Sequence, residues 1–176
     1  MIQAFHGQLP VLHPRARAAE NAVFVGRVSV AEGAGIWYNT VLRGDVAPIS
    51  IGPNTNLQDG VIVHGNRVYA TTVGRDVTVG HGCILHGCTV EDTCLIGMGA
   101  TLMNGSVIGA GSLVAAGALV TQNTVIPPGS LVMGVPARVV RPLRPDETEN
   151  LRRSAENYRQ LAEELLPLCG GAEDAK

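Results

Sequence analysis

Residues 90–132, VEDTCL IGMGAT LMNGSV IGAGSL VAAGAL VTQNTV IPPGSL V, divide into blocks of six. Each block opens on an aliphatic residue: Val90, Ile96, Leu102, Ile108, Val114, Val120, Ile126 and then Val132. Four residues after each opening stands a small or hydroxyl-bearing one: Cys94, Ala100, Ser106, Ser112, Ala118, Thr124, Ser130. A period of six is neither the 3.6 of a helix nor the alternation of a plain strand. It describes a short strand, a tight corner and the next strand. Three such hexads close one triangular coil of a parallel β-helix, in which coils stack about 4.8 Å apart and bury their core only against their neighbours.

Working outward from this stretch, the same ruler reaches back through Leu85, Val79 and Val73 to Val63, Leu57 and Ile51. Two steps break the period: Val63 to Val73 spans ten residues and Leu85 to Val90 spans five. Val25-Gly26, Val30 and Ile36 fit the pattern less cleanly. The expectation is an all-β coil over 15–137, preceded by an N-terminal segment, 1–14. After Pro136 the pattern stops. Within 138–170, Asp146 and Glu149 resemble a capping box, and Leu151, Ala155, Tyr158, Leu161 and Leu165 follow at helical spacing. One amphipathic helix over about 146–167, lying on the coil, is predicted. The tail, 171–176, is expected to be disordered.

Composition agrees with this reading. Glycine and valine each occur 22 times in 176 residues, and the six aromatics make up 3 %. Valine favours strands, glycine favours corners, and a narrow coil has little room for rings. A net charge of −2 excludes the basic footprint of nucleic-acid binding. The N-terminus, MIQAFHGQLP, has no signal-peptide pattern, and no apolar run approaches a membrane span. A soluble cytoplasmic protein is expected. The cysteines, Cys83, Cys88, Cys94 and Cys169, show no CxxC spacing, which argues against a zinc ribbon and against a disulfide framework. Cys83 and Cys94 hold the small inward position, while Cys88 stays unassigned.

The repeat also places histidines. His64 follows inward Val63 and His86 follows inward Leu85, so both share one phase and stack on the same side of adjacent coils, where two imidazoles can share a metal. His81, two residues after Val79, has a different phase and lies one face earlier. Convergence of all three inside one chain is difficult. A cyclic assembly solves this, with His81 of one copy completing a site begun by His64 and His86 of another. Three nitrogen ligands and an open position make a catalytic type of zinc site.

The segments Arg43-Gly44-Asp45, Asn56-Leu57-Gln58-Asp59-Gly60, Val63-His64, Val79-Gly80-His81 and Leu85-His86-Gly87-Cys88 resemble the signature of γ-class carbonic anhydrases. Gly134-Val135-Pro136-Ala137 is shared more widely among hexapeptide-repeat proteins, acyltransferases included. The resemblance covers about residues 10–145. It implies a left-handed β-helix, a homotrimer, and one metal at each subunit interface held by His64 and His86 of one subunit and His81 of the next. The metal would be zinc, with iron or cobalt as further family metals. It further implies an Arg43–Asp45 ion pair across the interface, Gln58 and Asn56 orienting water and substrate, and Asp59 supporting them. Reversible hydration of carbon dioxide to bicarbonate is the activity implied. Val46 follows Asp45, and segment 65–72 carries no carboxylate. The glutamates that the resemblance associates with proton export are therefore missing. Three other readings stay open: a metal-dependent acyl-CoA thioesterase or hydrolase, a hexapeptide acyltransferase, and a trimeric scaffold.

Overall fold

Each hexad folds as a strand of two or three residues followed by a corner, and strands one coil apart pair in parallel. The computed structural model describes residues 1–171, so most of the tail expected to be disordered over 171–176 lies outside the described residues. The chain is a parallel β-solenoid with three faces. On the first face Arg17–Ala18, Gly35–Ile36, Asn56–Leu57, Thr78–Val79, Leu95–Ile96, Leu113–Val114 and Ser130–Gly134 stack in chain order. The second face carries Ile62–His64, Ile84–His86, Thr101–Leu102 and Leu119–Val120. The third carries Thr71–Val73, Thr89–Val90, Val107–Ile108 and Val125–Ile126. Two longer strands, Val23–Val30 and Val41–Ile51, run along the second face and turn onto the third, joining both into one sheet.

The inward residues from Ile51 to Val132 named by the repeat all lie in the core. The two irregular steps change the phase locally. Because Leu85 to Val90 is one residue short, Cys88 and not Thr89 takes the small inward position; Cys88 is buried, and Thr89 pairs outward with Thr72. Near the start of the coil the inward residue is Phe24 rather than Val25, in register with Leu42. A ring is accommodated there because only the short strand Ile2–Gln3 stacks beyond it on that face. The N-terminal segment thus belongs to the sheet: Ile2–Gln3 and Val11–Leu12 both pair with Val23–Val30.

Past the coil the chain does not pass straight into a helix. Ala137–Pro142 turns back antiparallel on Ser130–Gly134 and closes the end of the first face. The helix is Pro145–Leu165, and its start is set by Glu147, not by an Asp146–Glu149 box. The backbone N–H of Arg144 donates to Glu147 at 2.9 Å, and the Arg141 guanidinium donates both of its terminal nitrogens at 2.7 Å. The buried helix face runs through Leu151, Ala155 and Ala162 to Leu166, whereas Leu161 and Leu165 are exposed. After Tyr158 the buried stripe steps four residues to Ala162 and four more to Leu166. Tyr158 meets Trp37 edge-to-face at 5.7 Å, and Thr78 Oγ1 donates to Ser154 Oγ at 3.2 Å, so the helix lies on the first face.

Candidate metal centre

The edge between the second and third faces carries a column of polar side chains, one per coil: Asp45, His64, His86 and Asn104. His86 pairs in register with His64, as expected from their shared phase. Because strand residues alternate, Val63 and Leu85 point inward while the histidines point out beside Ile62 and Ile84. Below them Gly44 faces Gly26, and a Cβ on Gly44 would lie 2.5 Å from the Arg27 carbonyl oxygen. Only glycine lets the two strands approach there, where Val41–Ile51 turns the corner and aims Asp45 at His64.

His64 Nε2 lies 3.0 Å from Asp45 Oδ1, and His86 Nδ1 lies 2.8 Å from Asn104 Oδ1. The remaining ring nitrogens, His64 Nδ1 and His86 Nε2, face each other at 3.1 Å. Burial raises the Asp45 carboxyl, but hydrogen bonds from Arg43, His64 and the Val46 backbone outweigh it and hold the group below the usual range. Asp45 is therefore an ionised acceptor for His64, and His86 faces the oxygen of the Asn104 amide. If each ring donates to its acceptor, the facing nitrogens present lone pairs to one another. Two such lone pairs are stabilised by a cation between them, so the donor set fits a divalent metal that takes imidazole nitrogen.

Thr71, fully buried, pins the backbone of this column: the Gly87 N–H donates to Thr71 Oγ1 at 2.9 Å and to the His64 carbonyl at 3.0 Å. Beside Asp45 opens a cleft of about 220 Å³ lined by Phe5, His6, Gln8 and Arg27.

The other expected residues occupy the edge between the first and second faces. His81 lies in the corner after Thr78–Val79, stacked on Asp59 through the Gly82 N–H to Asp59 carbonyl bond of 2.9 Å. His81 Nδ1 meets Asp59 Oδ2 at 2.7 Å, which leaves Nε2 free and the ring partly exposed. Gln58 and Asn56 are buried on the same side; Gln58 Nε2 donates to Asn56 Oδ1 at 3.3 Å, and Asn56 Nδ2 to Thr78 Oγ1 at 3.1 Å. The structure thus separates the expected residues into two groups. Among the described residues, no three His, Cys, Asp or Glu side chains of one chain come together to hold a metal. Arg43 and Asp45 pair with each other within the chain, two residues apart on one strand, so their ion pair needs no interface to form.

Asn104 and Thr71 were not anticipated as parts of this site, and Gly87 stood in a quoted segment without a role. Asn104 stands eighteen residues, or three hexads, after His86, so the spacing carried a signal for it.

Comparison with known proteins follows the same lines. The family model described as bacterial transferase hexapeptide (six repeats) matches residues 87–122. A protein of Methanocaldococcus jannaschii named probable carbonic anhydrase is 50 % identical over 149 residues, covering 85 % of this chain and 94 % of its own. Gamma carbonic anhydrase 1, mitochondrial, of Arabidopsis thaliana is 45 % identical over 173 residues; the match takes in 95 % of this chain but only 61 % of that longer protein. A crystal structure of a hexapeptide transferase family protein from Anaplasma phagocytophilum superposes with a TM-score of 0.90 at 40 % identity, covering 94 % of this chain and 98 % of that one. The coil, the paired histidines and these relatives agree: the chain belongs to the γ-class carbonic anhydrase-like family of hexapeptide-repeat proteins.

Proposed function

We propose that the protein is a homotrimeric, metal-dependent enzyme that hydrates carbon dioxide reversibly, with each active site formed between two subunits. The observation that carries this reading is the set of ring nitrogens not taken up by a carboxylate or an amide. His64 Nδ1 and His86 Nε2 converge on one edge, and His81 Nε2 is held ready by Asp59 on another. A three-fold assembly that packs unlike edges together brings the partner's His81 to His64 and His86. The second face supplies apolar surface beside the site: Ile62 and Ile84 are 39 % and 42 % exposed, directly next to the inward core. Exposed β-strand aliphatics in consecutive coils mark a surface that gains by being covered.

Zinc, iron or cobalt would fit the three imidazoles, and such a metal supplies a nucleophilic hydroxide at neutral pH. The chain's own residues do the rest. Asp45, itself held by Arg43, fixes the His64 ring. Asp59 fixes His81. Gln58, oriented by Asn56, holds water or carbon dioxide from the first edge. Val46, 37 % exposed beside Asp45, offers no proton acceptor. The proton released with each bicarbonate therefore passes to solvent and buffer.

A second reading, acyl transfer, is favoured by the family-model match to bacterial transferases. A transferase needs one basic histidine, however, whereas here three rings are each oriented by an acceptor. Metal analysis of the purified oligomer, combined with carbon dioxide hydration rates for wild type and His81→Ala, separates the readings. Stoichiometric metal and hydration activity, both lost in His81→Ala, are expected. A wild-type oligomer without metal would contradict the proposal. Metal without hydration would shift the assignment to thioester hydrolysis or to a scaffold, which a panel of acyl-CoA thioesters would distinguish.

A further inference from the structure

We propose that Asn104 is a positioning residue for His86, the third of three acceptors that decide which nitrogen of each site histidine stays free of a proton. This rests on the metal-centre reading and extends it to a residue outside the segments that carry the resemblance. Asn104 Oδ1 lies 2.8 Å from His86 Nδ1. An amide oxygen only accepts, so the proton resides on Nδ1 and the lone pair on Nε2, the atom that faces His64.

The corners of the coil deliver the Asn104 amide to the ring in two ways. Gly87 follows His86 with φ +62°, and a Cβ there would sit 2.5 Å from Asn104 Oδ1 and 2.8 Å from Tyr69 Cβ. The residue next to the ligand must be bare for the amide to reach the ring. Asn104 is also clamped from both sides of its coil: its carbonyl accepts from the Asn123 N–H at 2.9 Å, and the following N–H, that of Gly105, donates to the Gly87 carbonyl at 2.7 Å. The side chain is delivered by a rigid rung rather than by a free loop.

Asn104 differs from Asp45 and Asp59 in carrying no charge. A carboxylate partner raises the basicity of an imidazole ligand, whereas an amide sets the tautomer without adding a further negative charge. Asn104→Asp therefore tightens cation binding, and Asn104→Ala weakens it by releasing the His86 tautomer.

Two measurements on wild type, Asn104→Ala and Asn104→Asp test the proposal. In the metal-free proteins, long-range nitrogen–proton correlation spectra read the His86 tautomer. The Nδ1–H form is expected in wild type and Asn104→Asp, with a shift toward Nε2–H in Asn104→Ala. In competition with a chromophoric chelator, zinc affinity is expected to fall about 10- to 100-fold in Asn104→Ala and to equal or exceed wild type in Asn104→Asp. Either a retained Nδ1–H tautomer or an unchanged zinc affinity in Asn104→Ala overturns the proposal. A wild-type protein that binds no zinc would remove the metal-centre reading instead, and the tautomer spectra would still decide the role of Asn104.

Discussion

His64 Nδ1 and His86 Nε2 face each other at 3.1 Å across two coils paired in register, each ring held from behind by an acceptor. In the proposed metal centre the pair would share a cation, and loss of either support would weaken its hold.

Asp45→Asn tests the support of His64. The charge that Arg43 and His64 now share is lost, and with it the added basicity that a carboxylate gives the His64 ring. Zinc affinity should fall about 10- to 100-fold in chelator competition, with little change in the thermal midpoint of the metal-free protein. Wild-type affinity in this variant would contradict the assigned role.

The corner between the third and first faces holds a strained residue. Thr93 has φ +57°, although it is β-branched, while Gly111 in the next coil adopts φ +64° without penalty. A branched side chain in the left-handed region costs about 1–3 kcal/mol. Thr93→Gly gives back part of this in unfolded-chain entropy, so a net stabilisation of about 1 kcal/mol in urea unfolding is expected. Destabilisation would show that the Thr93 side chain makes a compensating contact.

Acid should loosen the start of the helix. The Arg141 guanidinium first, and the Arg144 N–H second, hold the Glu147 carboxyl at about 2, below its ordinary 4.5. A depressed carboxyl stabilises the fold fully above the unfolded value. That contribution fades as pH falls from about 4.5 through about 2. Glu147→Gln should be less stable than wild type at neutral pH and converge with it in acid. A difference that stays constant down to pH about 2 would exclude this linkage.

The buried thiols should be inert. Burial pushes Cys83 and Cys94 up to about 11 and Cys88 up to about 12, so none is a thiolate at neutral pH. Iodoacetamide at pH about 8 should leave all three unmodified in the native protein and label them in urea, as peptide mass spectrometry would show. Rapid native labelling of Cys88, which lies next to Gly87, would mean that the metal edge opens.

Much of this architecture was legible because the repeat is a ruler. Leu57, Val79 and Ile96 read as inward residues and stack as such, and one phase places His64 over His86. Legibility failed where the ruler slips or stops. The short step after Leu85 hides the inward role of Cys88, since one missing residue turns the pleat over. At the frayed start of the pattern, Val25 and Phe24 compete for one position, and only strand pairing decides. On the helix, Leu161 and Leu165 look buried by hydropathy, yet the smaller Ala162 faces Gly35, where a close approach to the first face rewards lack of bulk. Asn104 was missed because an asparagine before glycine reads as a turn, and its acceptor role shows only when the ring of His86 is in place.

Each proposed metal centre takes His64 and His86 from one subunit and His81 from another. Co-refolding His64→Ala chains with His81→Ala chains tests it most directly. Neither variant alone should bind stoichiometric zinc. A mixed trimer contains one interface with both halves intact, so about one zinc per mixed trimer, with hydration activity restored in proportion, is predicted. Mixed oligomers that stay metal-free, or a His81→Ala protein that binds zinc fully by itself, would contradict it.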